Sequence, residues 1–84
     1  MVSLPEPTKI SFDQDSMWVT LDDGRVIGVP LAWFPRLLNG SEQDRQDFFL
    51  SPSGMHWEAL DEDISVRLIL SGRIELPPEK RYAA

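Results

Sequence analysis

The side chains with the chemistry to act on something lie between positions 56 and 63. One imidazole, His56, is followed by Glu58, Asp61, Glu62 and Asp63. Four carboxylates this close raise metal binding first. A calcium loop needs oxygen ligands at alternating positions, a glycine at its sixth position and a bidentate glutamate at its twelfth. Counted from Asp61, the sixth residue is Val66 and the twelfth is Gly72, so no metal site is expected. His56 is the only histidine, and a catalytic base needs a group that orients it and a nucleophile within reach. Ser53 is too close in sequence to read as anything but loop, and no Gly-x-Ser-x-Gly elbow occurs. His56 is therefore expected to pack beside Trp57 at a sheet edge and to bond locally. Neither Gly-x-Gly-x-x-Gly nor a Walker pattern is present, which leaves no phosphate cradle. No catalytic residue, no metal and no cofactor is expected, and the chain does not read as an enzyme.

The carboxylates then have two readings. Asp61, Glu62 and Asp63 stand just before Ser65 and suit the positive end of a helix starting there. With Glu58 they also form an anionic surface that steers a basic protein partner. The aromatics supply what such a surface lacks. Trp33 and Phe34 point about 100° apart on a helix, so if Phe34 enters the core, Trp33 is at best half-covered. Trp33 with Arg36, or Trp57, is the kind of residue that anchors an interface by burying apolar area. The competing reading folds Trp33 back over the sheet, as large rings usually are mostly buried. The residues assigned to protein binding are Trp33, Arg36, Trp57, Glu58, Asp61, Glu62 and Asp63.

The whole chain sets the limits on these readings. Its 84 residues are 42% hydrophobic with three Trp and four Phe, enough apolar surface to offset the entropy of ordering one small domain. Cysteine is absent, which excludes disulfides and thiolate metal sites and suits the cytoplasm. The N-terminal stretch lacks the basic and apolar regions of a secretory signal. No apolar run approaches the roughly 20 residues that span a bilayer. Fourteen acids against eight bases give a net charge of −6. Direct binding to nucleic acid or anionic membrane is therefore disfavoured, because both depend on Lys and Arg neutralising phosphates.

Residues 1–8 read as a lead-in, 9–72 as a single domain and 73–84 as a mobile tail. Alternation predicts strands at Lys9–Phe12, Met17–Leu21 and Arg25–Val29. The first two are joined by the turn residues Asp13-Gln14-Asp15-Ser16, the second and third by Asp22-Asp23-Gly24. The result is an antiparallel meander with one greasy face. The cover is expected from Leu31 to Leu38: a helix from Ala32, with Pro35 in its first turn and Phe34, Leu37 and Leu38 on one face. Ser41 caps a second, polar helix over Glu42–Asp47. Met55-His56-Trp57 fits a short later strand. Residues 64–70 satisfy either period, and Ser65 before the run with Ser71-Gly72 after it favours a helix. The fold class is α+β: a small antiparallel sheet, three strands plus a short later one, flanked by short helices.

Two blocks in this order carry a resemblance. They are Leu21-Asp22-Asp23-Gly24-Arg25-Val26-Ile27-Gly28-Val29-Pro30-Leu31-Ala32-Trp33-Phe34-Pro35-Arg36-Leu37, then His56-Trp57-Glu58-Ala59-Leu60-Asp61-Glu62-Asp63 leading into Ile64-Ser65-Val66. The chain resembles the prokaryotic family catalogued as domain of unknown function 2442, over residues 9 to 72. The resemblance implies a small α+β fold and brings no established activity. Some relatives carry the domain ahead of a helix-turn-helix module; others are encoded beside a small basic protein, in an arrangement like a toxin–antitoxin pair. The expectation is a non-enzymatic interaction domain, the acidic antitoxin-like partner of a basic protein encoded nearby. The alternatives are a small ligand-binding protein or enzyme with a cleft near His56, and a regulatory adaptor that reaches DNA only through a partner. A homodimer through a strand edge is a further expectation.

Overall fold

Side chains that alternate between apolar and polar build a first sheet from residues 7 to 30. In the computed structural model, which describes residues 4–71, β1 (Pro7–Phe12), β2 (Ser16–Leu21) and β3 (Val26–Pro30) form an antiparallel meander in the order β1-β2-β3. Ile10, Met17, Val19, Leu21 and Val29 point inward and are buried. The β1–β2 turn is held by Asp13, whose Oδ1 accepts from the backbone N–H groups of Asp15 and Ser16. The β2–β3 turn places only Gly24 at positive φ, 93°. Gly24 N–H donates to the Leu21 carbonyl and Leu21 N–H to the Arg25 carbonyl, the three-residue hairpin loop that needs one left-handed residue.

The segment after Pro30 does roof this sheet. Leu31, Phe34 and Leu37 are buried in the same cluster as the inner face of the meander. The single helix expected from Ala32 is instead broken in two: a 3-10 turn at Leu31–Trp33 and α1 at Pro35–Leu38. Pro35 is the cause. Its ring disfavours helical backbone in the preceding residue, and Phe34 takes φ −128°, ψ 85°. The break turns Leu38 outward, so it leaves the apolar face assigned to it and stands 40% exposed. Helix α2 (Glu42–Gln46) follows, with Ser41 Oγ accepting from Asp44 N–H at its N-cap.

The remaining chain departs further from expectation. The short later strand is the centre of a second three-stranded antiparallel sheet, β4 (Phe49–Ser51), β5 (Gly54–Trp57) and β6 (Glu62–Ser65). Residues 64–70 divide between the two periods they satisfy. Ile64 and Ser65 end β6, and α3 (Val66–Ser71) begins after them, with Ser65 Oγ accepting from Leu68 N–H as its cap. Glu62 and Asp63 therefore lie in a strand, and do not serve a helix N-terminus. Met55, Trp57 and Ile64 face inward with Val66 and Ile69 and join the core of the first sheet. Residues 1–3 of the lead-in, Gly72 and the tail at 73–84 lie outside the described residues. No helix among the described residues is long and apolar enough to cross a membrane.

On the outer face of the first sheet, Trp18 lies over Gly28, its cross-strand partner. The indole N–H donates to Asp13 Oδ2 at 2.8 Å. That bond, with the N–H groups of Asp15 and Ser16, holds the Asp13 carboxyl below its ordinary range. A Cβ at position 28 would stand 2.6 Å from Trp18 Cζ3, so the ring must swing away. In Gly28→Ala, the Trp18 indole proton is expected to lose its downfield NMR shift and Asp13 to titrate at higher pH than in the native chain. The sign follows from linkage: the depressed carboxyl favours the folded turn above the ordinary carboxylate range, and that contribution is lost as pH falls. An unmoved Asp13 titration would show that the indole bond does not hold it.

Candidate functional site

The turn from β5 to β6 gathers most of the residues assigned to protein binding. Trp57 ends β5, Glu62 opens β6, and the two are directly paired. Between them Asp61 takes φ 50°, a left-handed conformation that Asp tolerates better than most residues, and its N–H returns to the Glu58 carbonyl. Glu58, Asp61, Glu62 and Asp63 consequently share the rim of an open hollow with Phe49, His56 and Trp57. Arg36 reaches the same turn from α1. It donates to the Asp61 carbonyl, and its guanidinium lies 3.8 Å from the Asp61 carboxylate. Both side chains are well exposed, so the ion pair itself contributes little to stability.

Two of the assigned aromatics do not stand where an anchor must. Trp57 is only 1% exposed, with its indole N–H donating to the Arg45 carbonyl at 2.9 Å and its ring tilted against Phe48. It is a core ring with no face to offer a partner. Trp33 is half-buried against the core and does not line the hollow. The exposed aromatic at the site is Phe49, 55% accessible, which sequence reading took only as part of a short apolar run. The alternation Phe48 in, Phe49 out was the available signal, but two adjacent Phe do not say which faces water.

His56 stacks on Phe49, ring centroids 4.8 Å apart, on the outer face of the second sheet. Its Nδ1 lies 2.7 Å from Asp63 Oδ1 on β6, and its Nε2 lies 2.7 Å from Ser51 Oγ on β4. The local bonding expected of His56 is thus a three-strand chain of hydrogen bonds. Ser51 is the member missed in the sequence, since register, and not spacing, brings it across to the imidazole. No three metal-ligating side chains converge among the described residues.

The family model for the protein of unknown function described as DUF2442 matches residues 7–75, and the chain belongs to that family. Among solved structures, the chain is similar to a crystal structure of a protein of unknown function from Rhodospirillum rubrum ATCC 11170. The TM-score is 0.73 and the identity 23%, over 87% of this chain and 93% of that one. At that identity the likeness concerns the fold. No curated protein matches the chain.

Proposed function

We propose that this member of the family is a cytoplasmic, non-enzymatic protein-interaction domain, the acidic half of a two-protein module resembling a toxin–antitoxin pair. The observation that carries the reading is the hollow at the β5–β6 turn, where an exposed phenyl ring is rimmed by Glu58, Asp61, Glu62 and Asp63. Phe49 and its stacked imidazole offer apolar area for the stem of a partner Lys or Arg. The rim carboxylates then attract the cationic head, and the net charge of −6 steers approach from a distance. Arg36 neutralises part of the Asp61 charge, so Glu58, Glu62 and Asp63 carry most of the field.

The test is co-expression with the small basic protein encoded beside this chain, followed by calorimetry at several salt concentrations. Phe49→Ala is expected to weaken binding by about tenfold or more, the scale of an interface anchor. Glu58→Gln with Asp61→Asn is expected mainly to slow association and flatten the salt dependence. Asparagine keeps the left-handed backbone at position 61, so the variant reports charge alone. Unchanged affinity in both variants would remove this surface from the interaction.

A further inference from the structure

The chain of hydrogen bonds on the outer face of the second sheet has a property that docking does not use. An ionised carboxylate has no proton to give, so Asp63 accepts from His56 Nδ1–H. Nε2 then carries the lone pair, and it faces the Ser51 hydroxyl at 2.7 Å. The tautomer and the ring plane are both held: the first by Asp63, the second by Phe49 stacked at 24°. His56 is directly paired with Phe49 on one side and Asp63 on the other, and Ser51 stands two residues along β4. A hydroxyl, an imidazole and a carboxylate joined through these atoms form the arrangement that turns serine into a nucleophile, whatever the fold.

We propose that Ser51 is an activated nucleophile that takes the acyl group of small activated esters. His56 is its general base and Asp63 the positioning residue. Ser51 Oγ adds to the ester carbonyl carbon as its proton passes to Nε2. The adduct collapses by breaking the bond to the aryl oxygen, which leaves with the proton from Nε2. The products are an acyl ester on Ser51 and a free phenol. A water deprotonated by the same nitrogen then attacks the acyl carbon, restores the hydroxyl and releases the carboxylic acid. The scale of the donor follows from the surroundings. A depression of about 260 Å³ lies beside His56 against Gly54, the cross-strand partner of Ser51, with Leu68 as an apolar wall. It accommodates one aromatic ring, not a polymer. The Asp63 side chain is 76% exposed, so water screens its charge and the relay suits good leaving groups in preference to amides.

The full chain incubated with 4-nitrophenyl acetate, followed by peptide mapping, tests the assignment independently of any docking partner. Ser53, on the same hairpin and not bonded to the imidazole, is the internal control. Ser51 is expected to acylate at least about 100-fold faster than Ser53, and His56→Gln to remove that advantage, on the scale of general-base catalysis. Asp63→Asn is expected to lower the rate at least about tenfold, because an amide no longer selects the tautomer. Its imidazole 15N shifts should move from the Nδ1–H form to a mixture, a change that loss of packing alone does not produce. Acylation confined to amines such as Lys9, or Ser51 acylated no faster than Ser53, or equally fast without His56, overturns the proposal.

Discussion

Trp57→Ala is expected to leave the protein barely folded, with its urea midpoint at less than half the native value. Trp57 is the largest of the fully buried side chains. Truncating a buried aromatic costs roughly 3–5 kcal/mol, because contacts are lost and the cavity collapses only in part. A domain of this size has about 5–10 kcal/mol in total, since small domains fall at the low end of stability. The indole does more than fill space. Its N–H donates to the carbonyl of Arg45, and the guanidinium of Arg45 donates to the carbonyls of Leu37 and Gly40. Trp57 therefore ties the second sheet to α2 and, through Arg45, to the end of α1. Trp57→Phe keeps most of the apolar area but strands a carbonyl, and about 1–3 kcal/mol is expected for it. Denaturation followed by far-UV circular dichroism separates the two variants. A Trp57→Ala midpoint close to native would mean that the ring is not the keystone of the second sheet.

How much of this was legible depended on range. The meander was readable because Met17, Val19 and Leu21 alternate over a full strand and Asp23-Gly24 marks its turn. Pro35 and Ser41 announced helix starts by local chemistry, through a fixed φ and a capping hydroxyl. The second sheet was not readable in the same way. Its strands are three or four residues long, and β4 and β6 carry Ser51, Glu62 and Asp63, which propensity alone assigns to turns or helix ends. The turn that pairs them rests on a left-handed Asp61, where sequence habit looks for glycine. The acids before Ser65 therefore looked like helix chemistry, although the helix they were assigned to begins only at Val66. The site followed the same rule. Glu58, Asp61, Glu62 and Asp63 are neighbours in sequence and were found together. Phe49 and Ser51 reach His56 only through strand register, and no spacing encodes that.

Gly54 is where that register is most exposed to damage, and Gly54→Ala is expected to cost about 2–3 kcal/mol, near the upper range for overpacking. The reason is close approach, not backbone freedom. A Cβ at this position would stand 2.5 Å from the Ile64 carbonyl oxygen and 3.3 Å from Ser65 Cα. These are backbone atoms of β6, which cannot swing aside as the Trp18 ring can above Gly28. Gly54 faces Ser65, one step from the Met55–Ile64 pair and two from His56–Asp63. Prising β6 away at Gly54 therefore opens the sheet along the row that carries the imidazole–carboxylate bond. The variant is expected to lose stability in urea and, in the molecules still folded, to lose the Nδ1–H signature of His56. Gly24→Ala is the control, since its Cβ meets nothing within 4 Å and only the positive φ is strained. It should lower stability by about 1 kcal/mol while leaving the His56 signal in place. If Gly54→Ala also left that signal unchanged, the pairing of β5 with β6 would not be what aligns His56 with Asp63.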